Sequence, residues 1–345
     1  MSARTTRIAA AMLAFATCLA LGGCEGQLPT PTAGGTAVGT VGADGTAATA
    51  TPDLSEDQEA TIRASILDVY DAAIANKTVD GLDARVTGPA LDIASSRIAI
   101  AQRNNTDVDR LSAIPDDIAQ TVIPTDSGWP RDVVTITTTT EDQQSKRLLV
   151  MTQADAHANY KLWGVARLFS GAQLPSFNIP SIGAQMGTAK DDGLIVTPEE
   201  AVRQYADVLA NGTASQYAAD FADDQLRQAL VQETQNVQQG IERNHGTQQQ
   251  TFTPVEGAIH VMRSPDGGDL VVAQLTHEWI RQAGEGRESQ PASDDEKALF
   301  GDTQATSSLK ATRTIVVALY VPAENSGQQI TAVGADRQVV KVEAL

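Results

Sequence analysis

Apolar and polar positions divide the chain after its N-terminal region into two halves with the same order of predicted elements. In the first half, apolar residues recur at helical spacing from Ile62 to Ile74 and predict an amphipathic helix. The stretch SEDQ at 55–58 precedes this pattern and has the residues of a capping box, with Ser55 at the N-cap. A second helix is predicted over about 89–103, and strands rich in β-branched residues are predicted at 118–123, 132–140, 147–153 and 160–169.

The second half begins with the same kind of signal. The stretch TPEE at 197–200 places Thr197 at the N-cap and Pro198 at the first helical position. A further helical stretch is predicted over about 216–243, and strands are predicted at 257–263, 270–281, 311–321 and 328–342. The sequence DGGD at 266–269 is typical of a hairpin turn between the first two of these strands.

Helices followed by a run of strands indicate an α+β protein with segregated layers rather than a parallel βαβ sheet. This order resembles the NTF2-like/cystatin-like group, and the resemblance implies two tandem modules, each with helices packed on a curved, mainly antiparallel sheet. The modules are expected at 54–173 and 193–345, joined by a linker rich in Pro, Ser and Gly at 174–192. The whole chain also resembles uncharacterised actinobacterial lipoproteins assigned to a domain of unknown function. Neither resemblance brings an active-site residue onto this sequence.

One polar segment distinguishes the second half. Residues 282–309 stand where the first half has only six residues, 141–146. So long a polar connection is unusual between strands of a compact domain. We expect a solvated insertion; the alternatives are a mobile flap that closes over a binding site and a short helix at 294–300.

The N-terminus has the order of a signal peptide, expected at 1–23. Arg4 and Arg7 precede an uncharged apolar run at 8–21, which suits a signal sequence better than a membrane span. The sequence LGGC that ends at Cys24 resembles the bacterial lipobox. This resemblance implies cleavage between Gly23 and Cys24, lipidation of the Cys24 thiol, and a place on the extracytoplasmic face of the cell membrane, where two acyl chains anchor stably. The alternatives are an ordinary secretory signal and an uncleaved anchor.

The segment after the lipobox, 24–53, carries the lipidated cysteine and then a run of Gly, Thr, Ala and Pro. It has too few large apolar residues to offset the entropy of ordering, so we expect a disordered tether. As a flexible coil it spans about 30 Å.

The net charge of the chain limits the classes of partner that it is expected to bind. The chain has 345 residues and a formal net charge of −18, from 43 acidic and 25 basic residues. This balance argues against nucleic-acid binding, which needs clustered positive charge. Only seven of the basic residues are lysine, and Ala, Thr and Asp are abundant, which indicates a GC-rich genome such as that of an actinobacterium.

Few residues indicate site chemistry. The four histidines lack metal-ligand spacing, and neither a phosphate loop nor a G-x-S-x-G elbow occurs, so we expect no metal and no cofactor. Removal of the signal peptide would leave Cys24 as the sole cysteine. The candidate ligand-binding residues are His277 and Trp279, which alternation places on one face of a strand. They would line the mouth of a pocket or form a half-buried structural pair.

These observations favour a non-enzymatic module that binds a protein or a cell-envelope ligand. The alternative is a small-molecule carrier or an enzyme that uses a pocket inside an NTF2-like cone, and a structural spacer is a third class. A closed apolar pocket with convergent Tyr, His or Asp side chains would favour the alternative. An exposed apolar patch or groove between the modules would favour the binding module.

Overall fold

The computed structural model of the protein describes residues 51–125, 128–139 and 145–345. Across these residues, five α-helices pack on one curled, antiparallel sheet of eight strands in the order β1-β2-β3-β4-β8-β7-β6-β5. The helices are α1 (Glu56–Asn76), α2 (Gly88–Asn104), α3 (Pro198–Asn211), α4 (Gln225–Arg243) and α5 (Asp294–Phe300). The strands are β1 (Ile118–Val122), β2 (Arg131–Thr137), β3 (Arg147–Gln153), β4 (Lys161–Leu168), β5 (Thr247–Arg263), β6 (Asp269–Gln282), β7 (Ser308–Val321) and β8 (Thr331–Ala344). The α+β prediction is confirmed.

The predicted helix starts at 55 and 197 are confirmed. At α1, the Gln58 amide donates to Ser55 Oγ over 3.2 Å, and the Ser55 amide donates to the Gln58 side chain over 2.8 Å. At α3, Thr197 Oγ1 accepts from the Glu200 amide. The predicted start near 216 is wrong, because α4 begins only after Asp224, whose side chain accepts from the amide at N3.

Strand β5 is longer than its sequence predicts. It begins at Thr247, ten residues before the expected start, in a stretch of Thr and Gln with little apolar character. Pairing with β6 holds it extended as far as Pro254, and the register shifts between Pro254 and Ile259. The predicted hairpin turn follows β5 and is confirmed: Gly267 adopts a φ of 87°, which favours glycine.

The two halves of the sheet meet where β4 pairs with β8, and we call this pairing the seam. It consists of two residue pairs, Arg167 with Ala335 and Leu168 with Gly334. The strands approach so closely that a Cβ on Gly334 would lie 2.7 Å from the Arg167 carbonyl oxygen. Beyond the seam the strands diverge, and Ser96 of α2 donates to the backbone oxygen of Val339 on β8.

Both faces of the central strands are buried. In β3, Leu149 and Met151 pack with α1 and α2, whereas Leu148 and Val150 face the other way. The second half behaves likewise: alternate residues of β6 and β7 pack with α3 and α4, and the residues between them join Leu148 and Val150. Each half therefore covers one sheet face with its own helices, and the opposite faces form a core that both halves share.

The expected linker and insertion are both packed. In the linker, the Ala184 amide donates to Ile123 of the first half and the Gly187 amide donates to Val261 of the second. The insertion contains α5 at the residues of the predicted short helix. The expectation of a solvated insertion is wrong for this helix, because Ala298 and Phe300 are buried against α2 and β8.

The predictions for the N-terminal region lie outside the described residues: the signal peptide at 1–23, cleavage and lipidation at Gly23 and Cys24, and the tether as far as residue 50. The described chain starts beside the end of β1, where the Asp53 amide donates to the Pro124 oxygen over 2.8 Å. No helix in the described ranges is long and apolar enough to cross a bilayer.

Candidate functional site

Three open cavities surround the chain at 169–175, where it leaves β4 and crosses toward the second half. Their volumes are about 610, 650 and 540 Å³, and Phe169 and Ser170 line all three. The third cavity lies over the seam between the helices of the two halves, and we call it the seam cleft. Its polar lining comes from both halves: Arg97, Asp109, Ser145, Arg167, Ser170, Gln225, Asp295, Asp336, Arg337 and Gln338.

A buried ion pair forms the floor of the seam cleft. Arg97 of α2 donates from Nη2 to both carboxylate oxygens of Asp336 on β8, over 2.8 and 3.0 Å. Both residues are nearly inaccessible to solvent, and a buried charge is tolerated only when it is paired. Burial opposes the charged form of Arg97, yet the adjacent Asp336 carboxylate raises its pKa above the ordinary value. This pair fixes α2 of the first half to β8 of the second.

Arg167 is a polar residue of the seam cleft with spare hydrogen-bonding capacity. Its Nε lies 3.4 Å from Asp336 Oδ1, is buried, and makes no hydrogen bond among the described residues. The side chain keeps 31% of its surface exposed at the cleft. A guanidinium presents five donors in a fixed fork, so Arg167 can donate to a carboxylate, phosphate or carbonyl oxygen that enters.

The charges around the seam cleft are balanced. Three arginines and three aspartates line it, whereas the chain as a whole carries a net charge of −18. At the rim, Arg337 is already bound to Glu233 of α4 over 2.6 Å, and Asp109 and Asp295 are exposed. The cleft therefore offers donors and acceptors of both signs, which suits a polar ligand better than an apolar one.

The predicted pair His277 and Trp279 lies on one face of β6, as alternation predicts, and neither residue has exposed surface. His277 Nε2 donates to the Gln250 side-chain oxygen over 2.9 Å, and Trp279 Nε1 donates to Gln248 over 2.8 Å. The His277 ring also stacks on Phe252 with centroids 4.2 Å apart. Burial, together with nearby arginines, lowers the pKa of His277 to about 2, so the imidazole is neutral.

Beside this pair lies a network of charged side chains, which we call the Arg–Glu cluster: Arg281, Glu296 and Arg313 are buried, and Glu233 and Arg337 are partly exposed. Glu296 of α5 is fully buried and accepts from Arg281 over 3.1 Å and from Arg313 over 2.9 Å. Burial alone would raise the pKa of Glu296, but the hydrogen bonds from Arg281 lower it below its usual range. The two guanidiniums lie 5.4 and 5.1 Å from the Trp279 ring centroid. His277 and Trp279 thus pack beside the cluster that holds α5 on the sheet.

A groove of about 700 Å³ runs between the end of α3 and the first half of α4. Leu209, Leu230 and the exposed Val231 give it an apolar wall. Gln250 lines the groove and also accepts the His277 hydrogen bond, so this side chain stands between the imidazole and the opening.

Sequence reasoning missed a second histidine contact, between residues 128 positions apart. His260 Nδ1 lies 2.7 Å from Asp132 Oδ2, and the His260 ring contacts Trp163 edge-on with centroids 4.1 Å apart. A carboxylate that orients an imidazole is found in general-base catalysis. Within the described ranges, however, no serine, threonine or cysteine side chain hydrogen-bonds to His260. The pair joins β5 of the second half to β2 and β4 of the first.

No group of three or more His, Cys, Asp or Glu side chains with the geometry of a metal site occurs in the part of the chain that the structure describes. The polar lining of the seam cleft consists of guanidinium, carboxylate, amide and hydroxyl groups. Such groups bind and orient a polar ligand through charge-assisted hydrogen bonds.

Comparison with protein families finds a match over most of the chain. A family model described as a domain of unknown function, DUF8094, covers residues 50–343, from just before α1 to the end of β8. The chain belongs to the DUF8094 family. The DUF8094 domain thus contains both halves of the sheet, the seam and the seam cleft, and the predicted resemblance to a family of unknown function is confirmed. No curated protein and no solved structure matches the chain significantly.

Proposed function

We propose that this protein is a membrane-anchored, extracytoplasmic lipoprotein whose DUF8094 domain binds a protein or a cell-envelope ligand in the seam cleft, without catalysis. The observation that carries the proposal is the position of the cleft. It is open, it lies where the two halves meet, and Arg167 presents unused donor capacity there. Small-molecule sites are typically concave and mainly apolar, whereas this cleft is open and rich in charged groups, which supports a binding module over an internal reaction site.

We further propose that the halves, 54–173 and 193–345, are two tandem NTF2-like modules. The repeated order of two helices and four strands supports this, and so does the symmetric way in which the fourth strand of each half meets the other. On this proposal the seam cleft is a combined surface, and neither module forms it alone.

The anchoring part of the proposal rests on the sequence at 1–53. A lipid on Cys24 and a flexible tether would hold the domain near the membrane of an actinobacterium while leaving it free to meet a ligand about 30 Å away. Replacing Cys24→Ala should move the protein from the membrane fraction to the soluble fraction of fractionated cells. Retention in the membrane fraction would contradict the lipobox assignment.

The alternative, a small-molecule carrier or enzyme with a site inside the second half, has less support. Its candidate residues, His277 and Trp279, have no exposed surface and contact other side chains of the chain. A ligand that reached them would first have to displace Gln250.

Site-specific photocrosslinking in intact cells tests the proposal. A benzophenone amino acid replaces the exposed Ser170 of the seam cleft, and a control places it at the exposed Gln239 of α4. We expect discrete adducts from position 170 that decrease several-fold when Arg167→Ala is added. The matched variant Arg203→Ala, which changes an exposed arginine on α3, should leave them unchanged. Adducts that persist at full yield without Arg167 would refute binding in the seam cleft.

A further inference from the structure

The two edges of the sheet differ in how they are protected. The β1 edge is five residues long, has a register shift between Ile118 and Gln120, and follows the acidic pair at 116–117. Short length, bulges and charges are the means by which proteins prevent an edge from pairing with another chain. At the opposite end of the sheet, β5 runs for 17 residues. Within the described residues, its outer side meets the linker only at its last residues, where Met186 forms an isolated bridge with Met262, and no strand of the sheet pairs with the rest of that side.

The first part of β5, Thr247–Thr253, has none of these protections, and we call it the β5 edge. Its sequence, TQQQTFT, contains no charge, no proline and no glycine, and its pairing with β6 is unbroken. Exposed residues alternate with partly covered ones along it. In an antiparallel strand, every second residue points both its N–H and its C=O away from the partner, so the β5 edge offers backbone groups to a further strand.

The β5 edge is held in place before any partner arrives. The Gln248 side chain donates to Gln238 of α4 over 2.6 Å and accepts from Trp279 over 2.8 Å. The Gln250 side chain donates to Thr234 of α4 over 2.8 Å. An already ordered strand loses little conformational entropy on binding, which favours pairing.

We propose that the β5 edge is a homodimer interface, in which β5 of a second copy pairs antiparallel with it around a two-fold axis at Gln250. This register places Thr247 opposite Thr253 and Gln249 opposite Thr251, so exposed residues meet exposed residues and no like charges face each other. Threonine pairs across strands are favourable. The sheet would then run without interruption through both copies.

The net charge restricts where a second copy can pair. Each copy carries a net charge of −18, so two copies repel each other and can approach only where the surface is neutral. The β5 edge is such a place: the charges nearest along the chain are Arg243 and Glu256, outside the paired segment. Salt screens the remaining repulsion, so dimerisation should strengthen as ionic strength increases.

The N-terminal segment of the same chain is a weaker occupant. Residue 53 enters the described structure beside Pro124, next to the β1 edge at the other end of the sheet. The segment before it is rich in Gly and Pro, which are poor strand formers.

Hydrogen exchange of the full chain in detergent, at low and at high micromolar concentration, tests this proposal. We expect peptides that cover 247–253 to exchange roughly tenfold more slowly at the higher concentration. Sedimentation should show dimers under the same conditions, with the dimer fraction rising with salt. Exchange that is slow but independent of concentration would mean that the chain covers its own edge. Exchange that is fast at every concentration would mean that the edge is free. Either result would overturn the proposal.

A pair of matched double variants locates the interface. Gln249→Lys with Thr251→Lys places like charges opposite each other across the proposed axis, on exposed positions that leave the monomer intact. Gln235→Lys with Gln239→Lys adds the same charge to the exposed face of α4. The first pair should abolish the concentration-dependent protection and the second should retain it. Equal behaviour of the two pairs would place the contact elsewhere. The outcome is independent of the seam cleft, because none of these residues lines it.

Discussion

The two halves of this protein have the same order of elements, and their first helices, α1 and α3, both pack through mainly apolar residues. Their second helices, α2 and α4, are held on the sheet in different ways. In the first half, seven residues of α1 and nine of α2 are buried, mostly in an apolar core. In the second half, α4 buries only Leu226 and Leu230 among its 19 residues. Beyond Leu230, its contacts to the sheet are polar: Glu233 binds arginines, and Thr234 and Gln238 bind glutamines of β5. One arrangement thus uses apolar area, and the other uses paired charges and amides.

This difference shows that two halves with the same order of elements need not lose the same stability when residues are substituted. An apolar core loses stability in proportion to the volume removed. A buried charge network loses stability when one partner is removed, because the remaining charges stay buried without compensation. The substitutions below distinguish the two arrangements.

The largest expected effect is at Glu296. Replacing Glu296→Gln leaves Arg281 and Arg313 buried without a counter-charge at that position, and we expect a loss of about 3–5 kcal/mol in the free energy of unfolding, measured with urea. Glu233→Gln is the control, because this partly exposed carboxylate should contribute about 1 kcal/mol or less. If both variants lost similar small amounts, the Arg–Glu cluster would not be what stabilises the second half.

The corresponding test of the first half removes apolar volume. Leu149 is 1% exposed, and Leu149→Ala should cost about 2–5 kcal/mol. The half-exposed Val237 on the polar part of α4 provides the contrast, and Val237→Ala should cost less than about 1 kcal/mol. Equal losses at the two positions would remove the distinction between the halves.

The pH dependence of the free energy of unfolding should reveal the proton that His277 takes up when the protein unfolds. Its folded pKa, about 2, lies below its unfolded value of about 6.5, so the unfolded state binds the extra proton. Stability is therefore present above pH 6.5 and falls as the pH decreases, by about 1.4 kcal/mol per pH unit from this residue. Burial raises the pKa of Asp269 to about 7 and that of Asp71 to about 6, so these carboxyls contribute a slope of opposite sign in the same range. Urea titrations between pH 6.5 and 5 should therefore show the His277 slope as the difference between the wild type and His277→Gln. A variant of the exposed His157, His157→Gln, should keep the slope; loss of it there would contradict the assignment.

The smallest effect concerns helix caps, which the two halves have in common. Ser55→Ala removes the capping box of α1 and should cost about 1 kcal/mol, measured by urea unfolding. Thr197→Ala should cost a similar amount at α3, where the cap hydrogen bond is 3.4 Å long. A cost above about 2 kcal/mol at either cap would indicate contacts beyond capping.

Local signals in the sequence accounted for much of the fold. The caps at Ser55 and Thr197 and the turn at 266–269 depend on residues within four positions of one another, so they could be predicted. The start of β5 could not, because TQQQT has weak strand propensity and is held by β6 and α4. The predicted helix start near 216 was wrong because the helix begins at Gln225, where the Asp224 side chain caps it.

The candidate site was harder to predict from the sequence than the fold was. Alternation correctly placed His277 and Trp279 on one face, but their burial depends on Gln248, Gln250 and the Arg–Glu cluster. The polar composition of 282–309 indicated a solvated insertion, whereas Glu296 is buried because two guanidiniums come to it from β6 and β7. An arginine within an apolar strand, such as Arg281 or Arg313, was the signal that could have indicated a buried acidic partner.

By itself, the sequence determined the α+β class, most element positions and the absence of charge along the β5 edge. These follow from periodicity, capping and composition, which act over a few residues. Only the tertiary structure decided that the halves share one sheet and one core. It also decided that Arg97 and Asp336, 239 positions apart, meet at the seam. The reason is physical: the register of β4 on β8 and the burial of charge depend on packing between distant segments, which no local pattern specifies.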